Sequence, residues 1–172
     1  MFKLTLNQTI PTCDVVPEYD DELDDVRSIL SDICDFMEEG SHGKFSVDPI
    51  GDETWPVDVG TDLPVFLEQV PDALRDIEAA EPDFAIDFYE QGVEKRLVFR
   101  RGGHELRVEC QSMTGRNVSV ATQFIRVQEL QDELLCVQKD FMAFVESAFP
   151  QLHDHPWLLV WFNASKRTRE GD

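Results

Sequence analysis

Gly40-Ser41-His42-Gly43-Lys44 is the stretch of this chain that comes nearest to a phosphate-binding loop. Such a loop needs four residues between its glycines and a Ser or Thr after the lysine, so that backbone amides cradle the phosphate and a hydroxyl meets the magnesium. Here two residues separate the glycines and Phe45 follows Lys44, so the motif fails. Asp48 and Asp52 lack the alternating oxygen ligands and distal Glu of a calcium loop. His153 and His155 flank Asp154 and in an extended segment would point the same way, but zinc needs further ligands that nothing nearby supplies. They read instead as a loop running into Pro156. His104 and Glu105 would face opposite sides of a strand and form no dyad. No G-x-S-x-G elbow occurs, and no cysteine has an electropositive sequence context that would favour its thiolate. Among 35 carboxylates some pair always lies at glycosidase-like separation, so a chance pair carries no weight. The expectation is a binding protein with no catalytic residue, cofactor or metal.

Those carboxylates are unevenly placed. Residues 1–94 hold 25 acidic against 4 basic side chains, residues 95–126 hold 2 against 7, and residues 127–172 hold 8 against 4. The chain is therefore a charge dipole with a formal net charge of −20. Such a field repels nucleic acid and anionic membranes and speeds the approach of basic partners. Cys13, Cys34, Cys110 and Cys136 are widely spaced with no C-x-x-C pair, which predicts buried thiols and folding without metal or disulfide. The N-terminal segment lacks the charged and apolar regions of an export signal, and no apolar run is long enough to span a membrane. A cytoplasmic protein is expected, and the N-x-[ST] triplets at Asn7, Asn117 and Asn163 then carry no glycosylation meaning.

The elements that must position these groups follow from periodicity. Phe2, Leu4 and Leu6 alternate with polar residues as in a half-buried strand. From about Asp20 to Glu39, Leu23, Val26, Leu30, Ile33 and Met37 recur at helical spacing, widened by Ile29 and Phe36 and closed by Gly40. Lys44–Val47 and Trp55–Val59 read as a hairpin across a turn-rich stretch. Thr61 or Asp62 caps a second helix that Pro71 kinks or divides. Residues from Phe84 to Gln111 alternate through two glycine-bearing turns as a three-stranded antiparallel meander whose Arg and Glu side chains pair across strands. Val127 to Ala148 is a long helix ended by Pro150, while Trp157–Phe162 is either a strand or a buried helical turn. The sum is a single α+β domain over residues 1–172: a mixed, mainly antiparallel sheet packed by two or three amphipathic helices, with 163–172 frayed.

On that frame the first helix presents Asp21, Asp25, Asp32 and Asp35 away from its apolar stripe, as a row of negative charge rising about 6 Å per four residues. Arg27 is the one basic residue between Asp14 and Glu39. A helix selected for stability alone would mix in lysines, because like charges four apart repel by a few tenths of a kcal/mol. Glu53, Trp55, Asp58 and Asp62, and Tyr89 with Glu90, set aromatics beside carboxylates, the pairing an interface would use for an Arg- or Lys-rich partner. The plainer alternatives are a solvated helix face and ordinary core aromatics beside loop acids.

From about Phe45 to Phe162, the segment Trp55-Pro56-Val57-Asp58-Val59, the turn Phe88-Tyr89-Glu90-Gln91-Gly92, the meander and the long C-terminal helix together resemble the small acidic immunity proteins of bacterial polymorphic-toxin and secreted-effector systems. That resemblance implies a cytosolic antidote that masks the active site of one cognate toxin, often a basic nuclease. An adaptor or chaperone for a basic client, or an enzyme of unrecognised type, are the other readings. A homodimer is compatible with all of them.

Overall fold

The computed structural model describes residues 1–8, 10–13, 17–48, 55–114 and 122–164. Ten elements follow one another: β1 (Phe2–Leu6), α1 (Val26–Glu39), β2 (Gly43–Val47), α2 (Asp62–Glu78), β3 (Asp83–Phe88), β4 (Lys95–Gly102), β5 (Glu105–Ser112), β6 (Thr122–Arg126), α3 (Val127–Ala148) and α4 (Pro156–Asn163). The fold is α+β, and its strands form two antiparallel sheets, β1-β2 and β3-β4-β5-β6. The expected meander is present, with β6 added to it as a fourth strand.

Several expectations need correction. Lys44–Val47 does not pair with Trp55–Val59. It pairs with β1, Phe2 opposite Val47 and Leu4 opposite Phe45, and residues 55–58 are not strand. The N-terminal strand has a two-residue apolar period that only a partner strand can complete, and Pro56 removes an amide donor from the rival segment. Helix α1 begins at Val26 instead of near Asp20. Asp25 caps it, accepting from the Arg27 amide at 2.8 Å, and Leu23 lies in the preceding turn 86% exposed. The apolar stripe closes over Ile29, Leu30, Ile33, Cys34 and Met37 without it. Of the four cysteines, Cys34 is buried, Cys13 and Cys110 are partly so, and Cys136 is exposed on α3. The Trp157–Phe162 run is helical, in α4, with His155 as its N-cap accepting from the Trp157 amide.

Helix α2 holds the molecule together. Phe66 lies 4.6 Å from Phe2, 5.2 Å from Phe45 and 6.1 Å from Phe88 between ring centres, so one side chain joins both sheets. The helix runs unbroken through Pro71. A proline leaves the carbonyl four residues earlier without its helical donor. That carbonyl belongs to Leu67, and the indole N–H of Trp161 donates to it at 2.9 Å in the buried interior. The gap in α2 is thus what fixes α4 to the core, where Trp161 also meets Phe141 edge-on at 5.8 Å. Buried side chains from both sheets and all four helices form one continuous core.

Candidate functional site

Three elements meet at one acidic groove. Arg27, Ser28, Ser31 and Asp35 come from α1, Gly60, Thr61, Pro64, Val65 and Glu68 from the start of α2, and Tyr89 and Glu90 from the turn after β3. The space they enclose is about 430 Å³ and open to solvent. Tyr89 is 50% exposed, one of few large hydrophobic side chains that the fold leaves out of its core.

The local sequence explains each placement. Strand alternation buries Phe84, Ile86 and Phe88 and therefore turns Tyr89 outward at the strand end. Gly92, at φ 107°, lets the chain reverse into β4. Asp58 accepts from the Thr61 amide (2.7 Å), the Thr61 hydroxyl (2.7 Å) and the Asp62 amide (3.4 Å), so it does the capping that Thr61 and Asp62 were expected to do. Asp62 reaches back, its Oδ2 accepting from the Asp58 amide at 2.9 Å.

Charge in the groove is almost wholly negative. Arg27 is its cation, and Asp25 holds it in a fork, with Nε at 3.0 and 2.9 Å from the two carboxylate oxygens. That hydrogen bonding holds the Asp25 carboxyl below the usual carboxylate range. Burial pushes Glu68 up, and Arg27 pulls it only part of the way back. Burial and then the charges of Glu68 and Glu90 raise Tyr89, so its hydroxyl stays protonated and able to donate. Asp35 and Glu90 accept no side-chain hydrogen bond and make no ion pair among the described residues. Such a site can neutralise a cation and stack its stem on an aromatic ring.

The structure brings together Asp35, Tyr89 and Glu90 of the residues singled out from sequence, with Asp25 at the rim. Asp62 lies beneath, 2% exposed, raised by burial and by Asp58 and Glu90, with its Oδ1 unpartnered among the described residues. Trp55 does not join them. It is 4% exposed, edge-on to Phe88 at 5.4 Å with Lys95 Nζ 4.9 Å from its ring centre, and so is a core residue. Asp32 faces another side of α1, where it accepts from the Tyr19 hydroxyl at 3.1 Å, and Asp21 sits in the turn before α1. The four aspartates therefore do not form one row. Glu53 lies outside the described residues. Glu68 and Arg27 were missed as groove residues; the signal for Glu68 was a single acid interrupting the apolar run from Leu63 to Val70.

Away from the groove, the expected Arg–Glu pairing across strands is seen between Arg100 and Glu109 (3.6 Å); Arg96 also grips Asp87 across strands through two nitrogens at 2.6 and 2.7 Å, while Arg107 meets Glu109 within β5 (3.0 Å). Among the described residues no three His, Cys, Asp or Glu side chains gather as metal ligands, and no helix is long and apolar enough to cross a membrane. No protein family, no curated protein and no solved structure matches this chain.

Proposed function

We propose that this chain is a protein-binding module whose groove receives a basic segment of its partner, and that the partner is a toxin of the nuclease kind which the chain neutralises by covering its cationic substrate channel. The observation that carries the reading is the convergence of Asp35, Glu68 and Glu90, from three separate elements, around a half-exposed Tyr89. Carboxylates with no hydrogen-bond or ion-pair partner among the described residues provide steering, and a rigid aromatic provides the anchor. The family resemblance of the sequence supplies the kind of partner.

The test is association with a basic nuclease-like protein encoded beside this chain's gene. A one-to-one complex should form, the nuclease should lose activity, and the association rate should fall steeply with salt. Changing Asp35, Glu68 and Glu90 together to Lys should slow association by an order of magnitude or more. Tyr89→Ala should raise the dissociation rate, since losing an aromatic anchor typically costs about 2 kcal/mol or more. A triple variant that binds and protects like the parent would remove the groove from the interface.

A further inference from the structure

The two edges of the four-stranded sheet are finished differently. At the β3 edge, the Gln69 side chain of α2 acts as a piece of strand: its Nε2 donates to the Asp87 carbonyl and its Oε1 accepts from the Asp87 amide, both at 2.8 Å. Asp83 and Asp87 add negative charge along that edge. Among the described residues the β6 edge has neither device. Val127 N donates to His104 O at 3.0 Å, and Leu106 opposite Ile125 and Val108 opposite Gln123 continue the register at two-residue steps. Antiparallel alternation then turns the backbone groups of Thr122 and Phe124 away from β5, as it does the Arg126 amide. No described residue hydrogen-bonds to the outward groups of Thr122 or Phe124. Phe124 is 64% exposed on the sheet face opposite the core.

Arg126 lies two residues on, on the same face as Phe124, and makes no ion pair among the described residues. It opens into a cavity of about 570 Å³ that Arg101, His104 and the first turn of α3 also line, with Glu105 as the acid there. That turn has no side-chain cap, its first amide is taken by the His104 carbonyl, and it carries Glu129. The end of β6 therefore sets Arg126 and Arg101 against the single carboxylate of Glu105, which lies opposite Arg126 in register, next to a strand edge that no described residue pairs.

We propose that β6 is a docking edge for an extended, acidic segment of a protein partner, which adds a fifth strand with an apolar side chain beside Phe124 and a carboxylate two residues away in the Arg126 pocket. Backbone pairing supplies the attraction and the alternate side chains the specificity. The occupant is acidic because Arg126 has no ion-pair partner among the described residues, whereas Arg107, directly opposite Phe124, is already paired with Glu109. A second copy fits poorly: pairing β6 with itself about Phe124 would set Arg126 opposite Thr122 of the other copy and offer it no carboxylate from the added strand. This surface and the groove lie on opposite edges of the sheet, and neither proposal depends on the other.

The probe is a fluorescein-labelled peptide, Thr-Glu-Thr-Val-Thr-Glu-Thr, whose symmetry puts a Glu opposite Arg126 in either strand direction, with a counterpart carrying Lys for Glu. Anisotropy titration of the whole chain should saturate with the acidic peptide and be at least tenfold weaker with the basic one. Arg126→Glu should weaken the acidic peptide at least tenfold, and Phe124→Ser should weaken it severalfold. Both positions are exposed, and an unchanged circular dichroism spectrum certifies the fold. Hydrogen exchange at the Phe124 amide should slow when peptide is bound, while the Asp35/Glu68/Glu90 reversal leaves the titration unaltered. Absence of saturable binding up to millimolar peptide overturns the proposal, as does binding indifferent to Arg126→Glu. Sedimentation of the parent as a dimer that Phe124→Ser dissociates would assign the edge to a second copy and overturn it equally.

Discussion

Around α2, backbone and side-chain polar groups that the local structure strands are met by side chains: Trp161 takes the Leu67 carbonyl, Gln69 takes both backbone groups of Asp87, and Asp58 takes the first amides of the helix. At the β6 edge and across the groove, equivalent groups face solvent. Asp35 and Glu90 have no partner among the described residues, and the outward backbone of Phe124 pairs with none of them. Both regions belong to one core, so the contrast is not one of order against looseness. Leaving a polar group buried and unpaired costs about 1–3 kcal/mol, whereas leaving it in water costs little. The fold therefore closes these backbone gaps around α2, though Asp62 Oδ1 stays buried without a partner among the described residues, and leaves open those where a partner could supply the missing group. That separates residues whose loss should be read in stability from residues whose loss should be read in binding.

The largest effect should come from the most buried of these closures. Trp161→Phe keeps an aromatic in place but removes the donor to Leu67 O, and should lower unfolding free energy by about 1–3 kcal/mol. Urea titration measures it. Adding Pro71→Ala would give Leu67 O a helical amide again, so the double variant should lose less than the two single losses added. Strict additivity would mean that the indole contributes by packing alone.

Next in size is the cap. Asp58→Ala should cost about 1–2 kcal/mol, because it strands the Thr61 and Asp62 amides at the start of a 17-residue helix. Glu90→Ala, which removes a carboxylate with no partner among the described residues, should stay within about 0.5 kcal/mol. If both variants melted alike, the division between closed and open groups would fail here.

How much of this could be read from sequence depends on the range over which each signal acts. Helix α3 was legible to its ends because Leu130, Leu134, Val137, Phe141 and Phe144 repeat one face through many turns before Pro150. The meander was legible because its strands are neighbours joined by glycine turns. The partner of β2 was not, since β1 lies some forty residues earlier and nothing local distinguishes it from the nearer Trp55 segment. β6 was missed because Ile125 is its one buried side chain, which leaves no alternation to see. In the groove, Asp35, Tyr89 and Glu90 stood out by type. Glu68 did not, although it begins a polar face that Asp72 and Arg75 continue at helical spacing along α2. Trp55 and Tyr89 are each an aromatic beside acids, with Trp55 the more expected in the core, and the fold separates them by which side of a strand or loop the core occupies.

Asp62 lies on the boundary between the two regions, and pH should expose it. Its folded-state pKa is raised, first by burial and then by Asp58 and Glu90, so the folded protein holds this proton more tightly than the unfolded chain does. Stability from this group is then complete below the unfolded value and is lost as pH rises through the elevated folded one. Asp62→Asn keeps an oxygen to accept from the Asp58 amide and removes the charge. The variant should equal or exceed the parent at neutral pH and lose the decline in stability between the ordinary carboxylate range and neutrality. Asp58 works in the opposite sense. Burial raises its carboxyl, but the bonds from the Thr61 hydroxyl and amide and from the amides of Asp62 and Gly60 together outweigh that and hold it low. Its contribution is present above the ordinary range and is lost as pH falls through its depressed value, so Asp58→Ala should flatten the acid limb instead. Identical pH profiles for the two variants would contradict the geometry.

The smallest effect tests whether the open carboxylates act by position or merely by number. Asp35→Lys and Asp21→Lys each change net charge by the same two units, and neither residue has a partner in the α1 apolar stripe, so both should leave stability within about 0.5 kcal/mol of the parent. They differ in place: Asp35 lines the groove, while Asp21 is an exposed turn residue before α1. At physiological salt the screening length is about 8 Å, so a charge outside the contact region acts weakly on an approaching partner. Association with the basic partner should therefore slow severalfold for Asp35→Lys and less than about twofold for Asp21→Lys, a gap that widens in low salt as steering strengthens. If the two variants slow association equally at every salt concentration, the acidic half of the molecule works only through its total charge, and the groove has no special claim on the partner.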